Sequence, residues 1–313
     1  MTDEDLFAPL ASLWHETELA QAKLVNHSEN HTFAVDGPIG RYSLRVHRQG
    51  YQSRPTIESE LAWLSALRTE TGLPVVEVVP GKDGRHLQTG VGRYAVLFHH
   101  VSGREPQIDE PLEPMFRKLG EYAARMHRHV EGWSRPTGFT RQIWNAGHIL
   151  DPAGLWGDWR VAPGVDSAIS NVLKRADAEL RSRLAKYGMS SDRFGLVHAD
   201  MRLGNLLADG DNLTLIDFDD CGFCWFVYDF AASVSFHETH HTVPALRAAW
   251  LDGYQTVRPL CRQDVAMLDT MVLLRRMLLL AWIGSHNETP LAQKHEMGFA
   301  SGTAELAERF LTT

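Results

Sequence analysis

The chain has 313 residues, of which 44% are hydrophobic and 22% are charged, and its formal net charge is −8. This length is too great for a single compact core and predicts two domains. The composition is that of an ordinary globular protein rather than a disordered one. The negative charge balance has the wrong sign for binding a phosphate backbone, so nucleic acid is not expected as the main partner.

Features of targeting and membrane segments are weak in this sequence. Residues 1–5 are acidic where a secretory signal would be basic, and three cysteines do not suit a disulfide framework. The most apolar stretch, 271–283, is shorter than a membrane span and contains Arg275 and Arg276. These observations predict a reduced, cytoplasmic protein without a membrane partner.

The first 101 residues have the pattern of a small, β-rich α+β domain. Apolar residues at helical spacing near the N-terminus precede short strand-like runs, and Gly37-Pro38 separates two of these runs as a hairpin turn would. The predicted elements, in order, are a helix at 3–21, strands at 32–35 and 42–46, a helix from its cap Thr56 to about Gly72, and strands at 75–79 and 94–101.

From residue 102 onward helical periodicity dominates. Helices are predicted at 115–129, 165–186, 243–257 and 264–283, with a short β-rich insert at 196–218. The sequence therefore predicts an α+β protein with a small N-terminal lobe over 1–101 and a larger, mainly helical C-terminal lobe over 102–313.

The β-rich insert carries polar residues at two strand ends. His198-Ala199-Asp200 closes one apolar strand, Asn205 follows five residues after that aspartate, and Ile216-Asp217-Phe218 closes a second strand. Phosphoryl transfer needs a carboxylate beside the attacking hydroxyl, and an amide oxygen and a second carboxylate to hold Mg²⁺ between the phosphates. The pattern therefore indicates phosphoryl transfer.

These motifs resemble those of the aminoglycoside phosphotransferase/choline kinase superfamily, which shares the bilobal fold of protein kinases. The similarity in element order extends over residues 20–290, and the 275–284 segment looks closest to bacterial stress-response kinases. The resemblance implies ATP- and Mg²⁺-dependent transfer of the γ-phosphate to a hydroxyl. It implies that Asp200 is catalytic, that Asn205 and Asp217 are metal ligands, and that His198 supports the loop. Asp219 fits either the metal shell or a solvated turn.

The same resemblance implies a nucleotide site in the N-terminal lobe. Arg45 occupies the strand position of the superfamily's phosphate-binding lysine, and Glu60 lies on the next helix, where it would pair with it. Arginine keeps its charge when buried and binds phosphate through two parallel donors, so ATP binding is expected to survive this departure. A solvated Arg45 would instead favour an inactive pseudokinase. The other nucleotide-binding candidates are Ser28, Asn30, Phe98 and His99.

The acceptor is less well defined than the nucleotide. A small molecule is expected, with a Ser/Thr protein kinase of the stress-response type as the alternative. Candidate acceptor-binding residues are His237, Glu238, His240 and Arg275. Arg275 and Arg276 suit an anionic or zwitterionic acceptor or a salt-bridged core equally well. The run 237–241 also matches the His-Glu-x-x-His motif of zinc proteases, which leaves a zinc hydrolase as a remote alternative.

Overall fold

The computed structural model describes residues 3–17, 20–27 and 30–312. The chain folds into two compact units, each of which gathers segments that are distant in sequence. Unit 1 consists of Met1–Arg104, Ser134–Arg141 and Leu207–Asp219, and unit 2 consists of Glu105–Trp133, Gln142–Leu206 and Asp220–Thr313. No helix in the described ranges is long and apolar enough to cross a bilayer.

Unit 1 is built on a six-stranded sheet in the order β1-β2-β3-β6-β4, with β5 paired to β6. All of its strand pairs are antiparallel. The predicted hairpin between β2 and β3 is confirmed, and Gly37 faces Gly40 across its turn. The strands are β1 (Gln21–His27), β2 (Asn30–Gly37), β3 (Gly40–His47), β4 (Val78–Val79), β5 (Gln88–Gly90) and β6 (Arg93–His99).

The N-terminal helix α1 (Asp3–Ala11) is shorter than the 3–21 helix that the sequence predicts. The apolar pattern continues beyond Ala11 because Trp14 is buried in the same core, where its indole Nε1 donates to Val79 O at 3.1 Å. Residues 12–17 are turns, and β1 begins at Gln21. The predicted helix end is therefore wrong. The apolar spacing continues past Ala11 because the side chain of Trp14 is buried, although the chain there is no longer helical.

The second helix, α2 (Arg54–Ala66), continues into a π-helical turn and ends at Gly72 with φ 64°. The expected cap, Thr56, is wrong by three residues. Ser53 is the N-cap, and Thr56 is its partner in a capping box, since the Thr56 hydroxyl lies 3.0 Å from the Ser53 amide. Pro55 is tolerated in the first turn because the amide that it lacks has no helical acceptor there.

A later segment completes unit 1. The hairpin of β8 (Leu206–Asp209) and β9 (Asn212–Leu215) turns at Gly210. Leu215 then pairs with the chain at Val75, with its amide donating to Pro74 O at 3.0 Å. This pairing fixes where the segment 216–219 leaves the strand.

Unit 2 is mainly helical. The helices predicted at 115–129, 165–186 and 243–257 are confirmed with shifted ends, whereas the one predicted at 264–283 is divided into two helices at Met267. The longest are α3 (Glu113–Gly132), α5 (Ser167–Tyr187), α7 (Val243–Gln255), α9 (Leu268–Ser285) and α11 (Phe299–Leu311). Shorter elements are α4 (Ala146–Leu150), β7 (Phe194–Val197), β10 (Gly222–Trp225), α6 (Tyr228–Ser233), α8 (Arg262–Ala266) and α10 (Pro290–Glu296). β7 and β10 form an antiparallel pair. α9 is buried almost throughout, which explains its continuous apolar sequence.

Helices α3 and α7 pack with their backbones in direct contact. A Cβ atom at Gly120 of α3 would lie 2.0 Å from Trp250 O of α7, and one at Gly253 of α7 would lie 1.7 Å from Arg117 O of α3. Any side chain larger than hydrogen would therefore separate the two helices at these points.

Candidate active site

In unit 2 the loop after β7 carries the His-Ala-Asp motif, and buried hydrogen bonds determine its shape. Ala199 adopts φ 66°, a left-handed conformation that non-glycine residues seldom take. The Asp229 carboxylate at the start of α6 stabilises this turn, since it accepts from the Ala199 amide at 2.8 Å and from the His198 amide at 3.3 Å. The His198 Nδ1 in turn accepts from the Asp200 amide at 3.3 Å.

Asp229 is itself held by the two long helices behind it. His127 of α3 has Nε2 at 2.9 Å from the Asp229 carboxylate and Nδ1 at 2.9 Å from the Tyr254 hydroxyl of α7. Burial lowers the pKa of His127, although Asp229 opposes this shift, so the ring is neutral at pH 7. A neutral ring next to a carboxylate donates from Nε2 and therefore accepts the Tyr254 proton at Nδ1.

The Asp200 carboxylate is buried and held by donors on both of its oxygens. Oδ2 accepts from Asn205 Nδ2 at 2.6 Å and from Arg202 Nε at 3.3 Å, while Oδ1 accepts from Arg275 Nη2. Burial alone would raise the pKa of Asp200, but the charges of Arg275 and Arg202 outweigh it and hold the pKa below its usual value. Asp200 is therefore an oriented anion at neutral pH.

Asn205 follows in a short 3₁₀ turn, Leu203–Asn205. Its hydrogen bonds to Asp200, at 2.6 Å to the carboxylate and 2.8 Å to the carbonyl, both use the amide nitrogen. The carbonyl oxygen is consequently the atom of Asn205 that suits a cation. An amide oxygen is a fitting ligand for Mg²⁺, which binds hard oxygen donors.

In unit 1 Arg45 lies on β3 and is 5% exposed, so it is not a solvated strand residue. Its Nη2 donates to Glu60 Oε1 of α2 at 2.5 Å, and its Nη1 lies 3.4 Å from Asp217 Oδ1. Burial tends to lower the pKa of Arg45, but the charges of Glu60, Asp219 and Asp217 raise it overall, so the guanidinium stays charged. Arg45 Nε is buried without a hydrogen-bond partner in the described ranges, and this donor suits a phosphate oxygen.

Asp217 and Asp219 follow β9 but have different surroundings. Asp217 adopts φ 60°, and its side chain is 46% exposed, as a ligand for an incoming cation must be. Asp219 is buried, with Oδ2 accepting from Asn30 Nδ2 at 2.9 Å. The interpretation of Asp219 as a solvated turn acid is therefore wrong.

Arg141 is a buried neighbour of Asp219 in unit 1 that sequence reasoning missed. Its guanidinium donates to the backbone carbonyl of Asp219 and, at 2.9 Å, to that of Thr56. It is buried in an irregular segment that comes 78 residues before Asp219. No local pattern marks such a residue, because its partners are backbone carbonyls of remote segments.

The remaining nucleotide candidates have mixed placements. Ser28 lies outside the described residues. Phe98 is buried on β6, with its ring centroid 5.1 Å from the Arg45 guanidinium carbon. His99 is exposed at the end of the same strand, and its amide donates to Glu77 O at 2.9 Å. Their roles in ATP binding stay predictions.

The acceptor candidates at 237–240 lie in turns between α6 and α7. The Glu238 carboxylate is buried and accepts from Arg276 Nη1 at 2.6 Å and from the Phe236 amide at 3.1 Å. His240 contacts Thr242 Oγ1 at 2.8 Å. The zinc-protease motif requires a helix that presents both histidines on one face. This segment is not helical, so that interpretation is wrong. Nowhere in the described ranges do three or more His, Cys, Asp or Glu side chains form a group that could hold a metal.

Arg275 and Arg276 of α9 form the salt-bridged core that was one of the two alternatives. Arg275 is 1% exposed and donates to Asp200, and Arg276 is 6% exposed and donates to Glu238. Each positive charge is therefore neutralised by a carboxylate of the same chain.

Comparison with known proteins identifies a matching family model and several similar proteins. The model of the phosphotransferase enzyme family (APH) matches residues 21–263. A solved structure of a microcompartment-associated aminopropanol kinase is 40% identical, covers 98% of both chains and has a TM-score of 0.89. Homoserine kinase of Methylobacillus flagellatus is 28% identical over 279 residues, which are 88% of this chain and 82% of that protein. Amicoumacin kinase of Bacillus subtilis (strain 168) is 29% identical over 216 residues, 67% of this chain and 61% of that protein.

The match to the family model extends over most of the chain and includes both motifs. The predicted protein-kinase-like fold is confirmed, with an antiparallel sheet in one unit and helices dominating the other. The predicted activity, ATP-dependent phosphoryl transfer to a hydroxyl group, is confirmed as well. The chain belongs to the phosphotransferase enzyme (APH) family.

Proposed function

We propose that this protein transfers the γ-phosphate of Mg²⁺-ATP to the hydroxyl of a small amino alcohol. The proposal is supported by 40% identity over 98% of the chain to an aminopropanol kinase. Homoserine kinases are further relatives, and homoserine also carries an amine and a hydroxyl. An acceptor with both groups is therefore the common chemistry of these relatives.

The ion pairs of α9 favour an amino alcohol over a hydroxy amino acid. An amino acid brings a carboxylate that requires a cationic partner in a buried site. Both arginines of α9 are already bound by carboxylates of this chain, Arg275 by Asp200 and Arg276 by Glu238. A substrate carboxylate that binds at the arginines of α9 would have to displace one of these buried pairs, whereas an amino alcohol would not. This observation carries the choice of acceptor class.

Each motif residue has a role that its surroundings suit. Asp200, an anion held by donors on both oxygens, orients the acceptor hydroxyl. Arg45, braced by Glu60, binds phosphate oxygens. Asn205, through its amide oxygen, and Asp217, through its half-exposed carboxylate, are Mg²⁺ ligands. Bound Mg²⁺ supplies the positive charge that offsets the negative charge of the phosphates during transfer.

An ATP-consumption screen tests the acceptor. It should compare aminopropanol, ethanolamine, choline, homoserine, an aminoglycoside and a generic protein substrate at saturating Mg²⁺-ATP. We expect kcat/KM for an amino alcohol to exceed that for homoserine by roughly tenfold or more, because both arginines of α9 are already paired with carboxylates of this chain. A higher kcat/KM for homoserine or for the protein would refute this acceptor class while leaving the family activity intact.

A further inference from the structure

Arg275 is buried near the middle of α9, and each of the three nitrogens of its guanidinium donates a hydrogen bond. Nη2 donates to Asp200 Oδ1, Nε donates to Ser235 Oγ at 2.9 Å, and Nη1 donates to Ala199 O at 3.2 Å. The guanidinium carbon also lies 5.1 Å from the ring centroid of Trp156. These contacts fix its orientation from several directions, so its donor to Asp200 has little freedom to move.

The two oxygens of Asp200 are not equivalent. A carboxylate offers about four acceptor positions, two on each oxygen. Oδ2 receives two donors, Asn205 Nδ2 at 2.6 Å and Arg202 Nε at 3.3 Å, whereas Oδ1 receives Arg275 alone among the described side chains. Oδ1 therefore has an acceptor position left for the hydroxyl of a substrate, and it is the oxygen that Arg275 holds.

We infer that Arg275 is a positioning residue for Asp200, which fixes the rotation of the carboxylate so that Oδ1 meets the acceptor hydroxyl. The inference rests on the role given to Asp200 in the proposed function. The terminal torsion of an aspartate is soft, so its hydrogen-bond partners determine the rotation. Without Arg275 the carboxylate pivots about Oδ2, which Asn205 and Arg202 still hold. Arg275 is thus not a binding residue for the acceptor.

Arg276 provides a matched control for this inference. It is the next residue of α9, it is similarly buried, and it forms a comparable ion pair with Glu238 at 2.6 Å. Its other donors go to Thr303 Oγ1 at 3.0 Å and Phe299 O at 3.3 Å, not to the loop that carries Asp200. A role of Arg275 in stability alone would be shared by Arg276, whereas a positioning role would not.

The first test compares Arg275→Lys with Arg276→Lys in the full chain. Lysine keeps the charge but replaces the planar fork with a single ammonium. We expect Arg275→Lys to lower kcat by about 10²-fold, with the KM for ATP within about twofold of the wild type, because a displacement of about 1 Å at the reacting centre has this effect. Both variants should lower the Tm by similar amounts. Arg276→Lys, however, should leave kcat within about threefold of the wild-type value. Equal values of kcat in the two variants would overturn the inference.

The second test is a double-mutant cycle of Asp200→Asn and Arg275→Gln, with Arg275→Lys replacing Arg275→Gln if the glutamine variant does not fold. If Arg275 acts through Asp200, its loss should lower kcat by about 10²-fold in the wild type but by no more than about threefold in the Asp200→Asn background. Multiplicative losses would overturn the inference. Full kcat in Asp200→Asn alone would instead refute the role proposed for Asp200, so the two failures are distinguishable.

Discussion

Replacement of Arg45 by methionine would leave Glu60 as a buried carboxylate opposite an apolar side chain. The two side chains are 6% and 1% exposed, so water does not compensate for the missing charge. Loss of one partner of a buried ion pair typically costs about 3–5 kcal/mol. Burial already raises the pKa of Glu60 despite the charge of Arg45, so uptake of a proton in the variant limits the cost. We therefore expect Arg45→Met to lower the free energy of unfolding by about 3 kcal/mol.

The same substitution should weaken ATP binding. A charge-assisted hydrogen bond contributes about 1.5–3 kcal/mol, so loss of the guanidinium predicts a KM for ATP about 10- to 100-fold higher. Glu60→Gln keeps a hydrogen-bond acceptor for Arg45 and should raise this KM more mildly. Arg45→Lys keeps the charge but loses the parallel donors, so partial activity is expected.

Denaturant unfolding and steady-state kinetics at varied ATP measure these effects. Arg54→Met is the matched control, because the Arg54–Glu58 pair of α2 has side chains that are 44% and 50% exposed. An exposed pair contributes about 0–1 kcal/mol, so this control should retain both stability and the KM for ATP. Arg45→Met with wild-type stability and a wild-type KM for ATP would refute this reasoning and the phosphate-binding role proposed for Arg45.

Two further predictions concern the metal ligands and the packing of α3 against α7. Asp217→Ala and Asn205→Ala should each raise the Mg²⁺ concentration needed for half-maximal activity, because each removes a proposed oxygen ligand, and unchanged Mg²⁺ titrations would contradict the proposal. Gly253→Ala should lower the Tm, since a Cβ atom 1.7 Å from Arg117 O costs more than the gain in helix propensity of about 1 kcal/mol. Gly132→Ala should leave the Tm equal or higher, because a Cβ atom added there would meet no other part of the described chain within 4 Å.

Short-range chemistry made the motif residues predictable. Asp200 and Asn205 are five residues apart in one short segment, and their contact follows from local chain geometry. The hairpin of β8 and β9 likewise depends on a local feature, because its turn contains Gly210 at φ 56°. Arg45 was assigned by its place on a strand, and its burial beside Glu60 agrees with that assignment.

Partners distant in sequence account for what sequence reasoning missed. β1 is an edge strand that pairs with β2, and the sequence of Gln21–His27 contains no local pattern that predicts a strand. The sequence shows Arg275 as a charged residue in an apolar helix. Its ion pair with Asp200 could not be predicted, because Asp200 lies 75 residues away in the sequence. The histidine spacing of 237–241 suggested a helix, but 237–240 are non-helical, and Phe236 just before them has φ 70°.

The hydrogen-bonded series from Tyr254 through His127 to Asp229 affects how inactivating mutations in this protein should be interpreted. Each of these residues acts on the loop of Asp200 without contacting the Asp200 carboxylate itself, and each sits on a different helix. Random mutagenesis scored by growth or activity should therefore identify a few positions in the helical interior that do not tolerate substitution, in addition to those of the motif. A map of inactivating substitutions would then overstate the area that touches substrate, unless binding and turnover are scored separately.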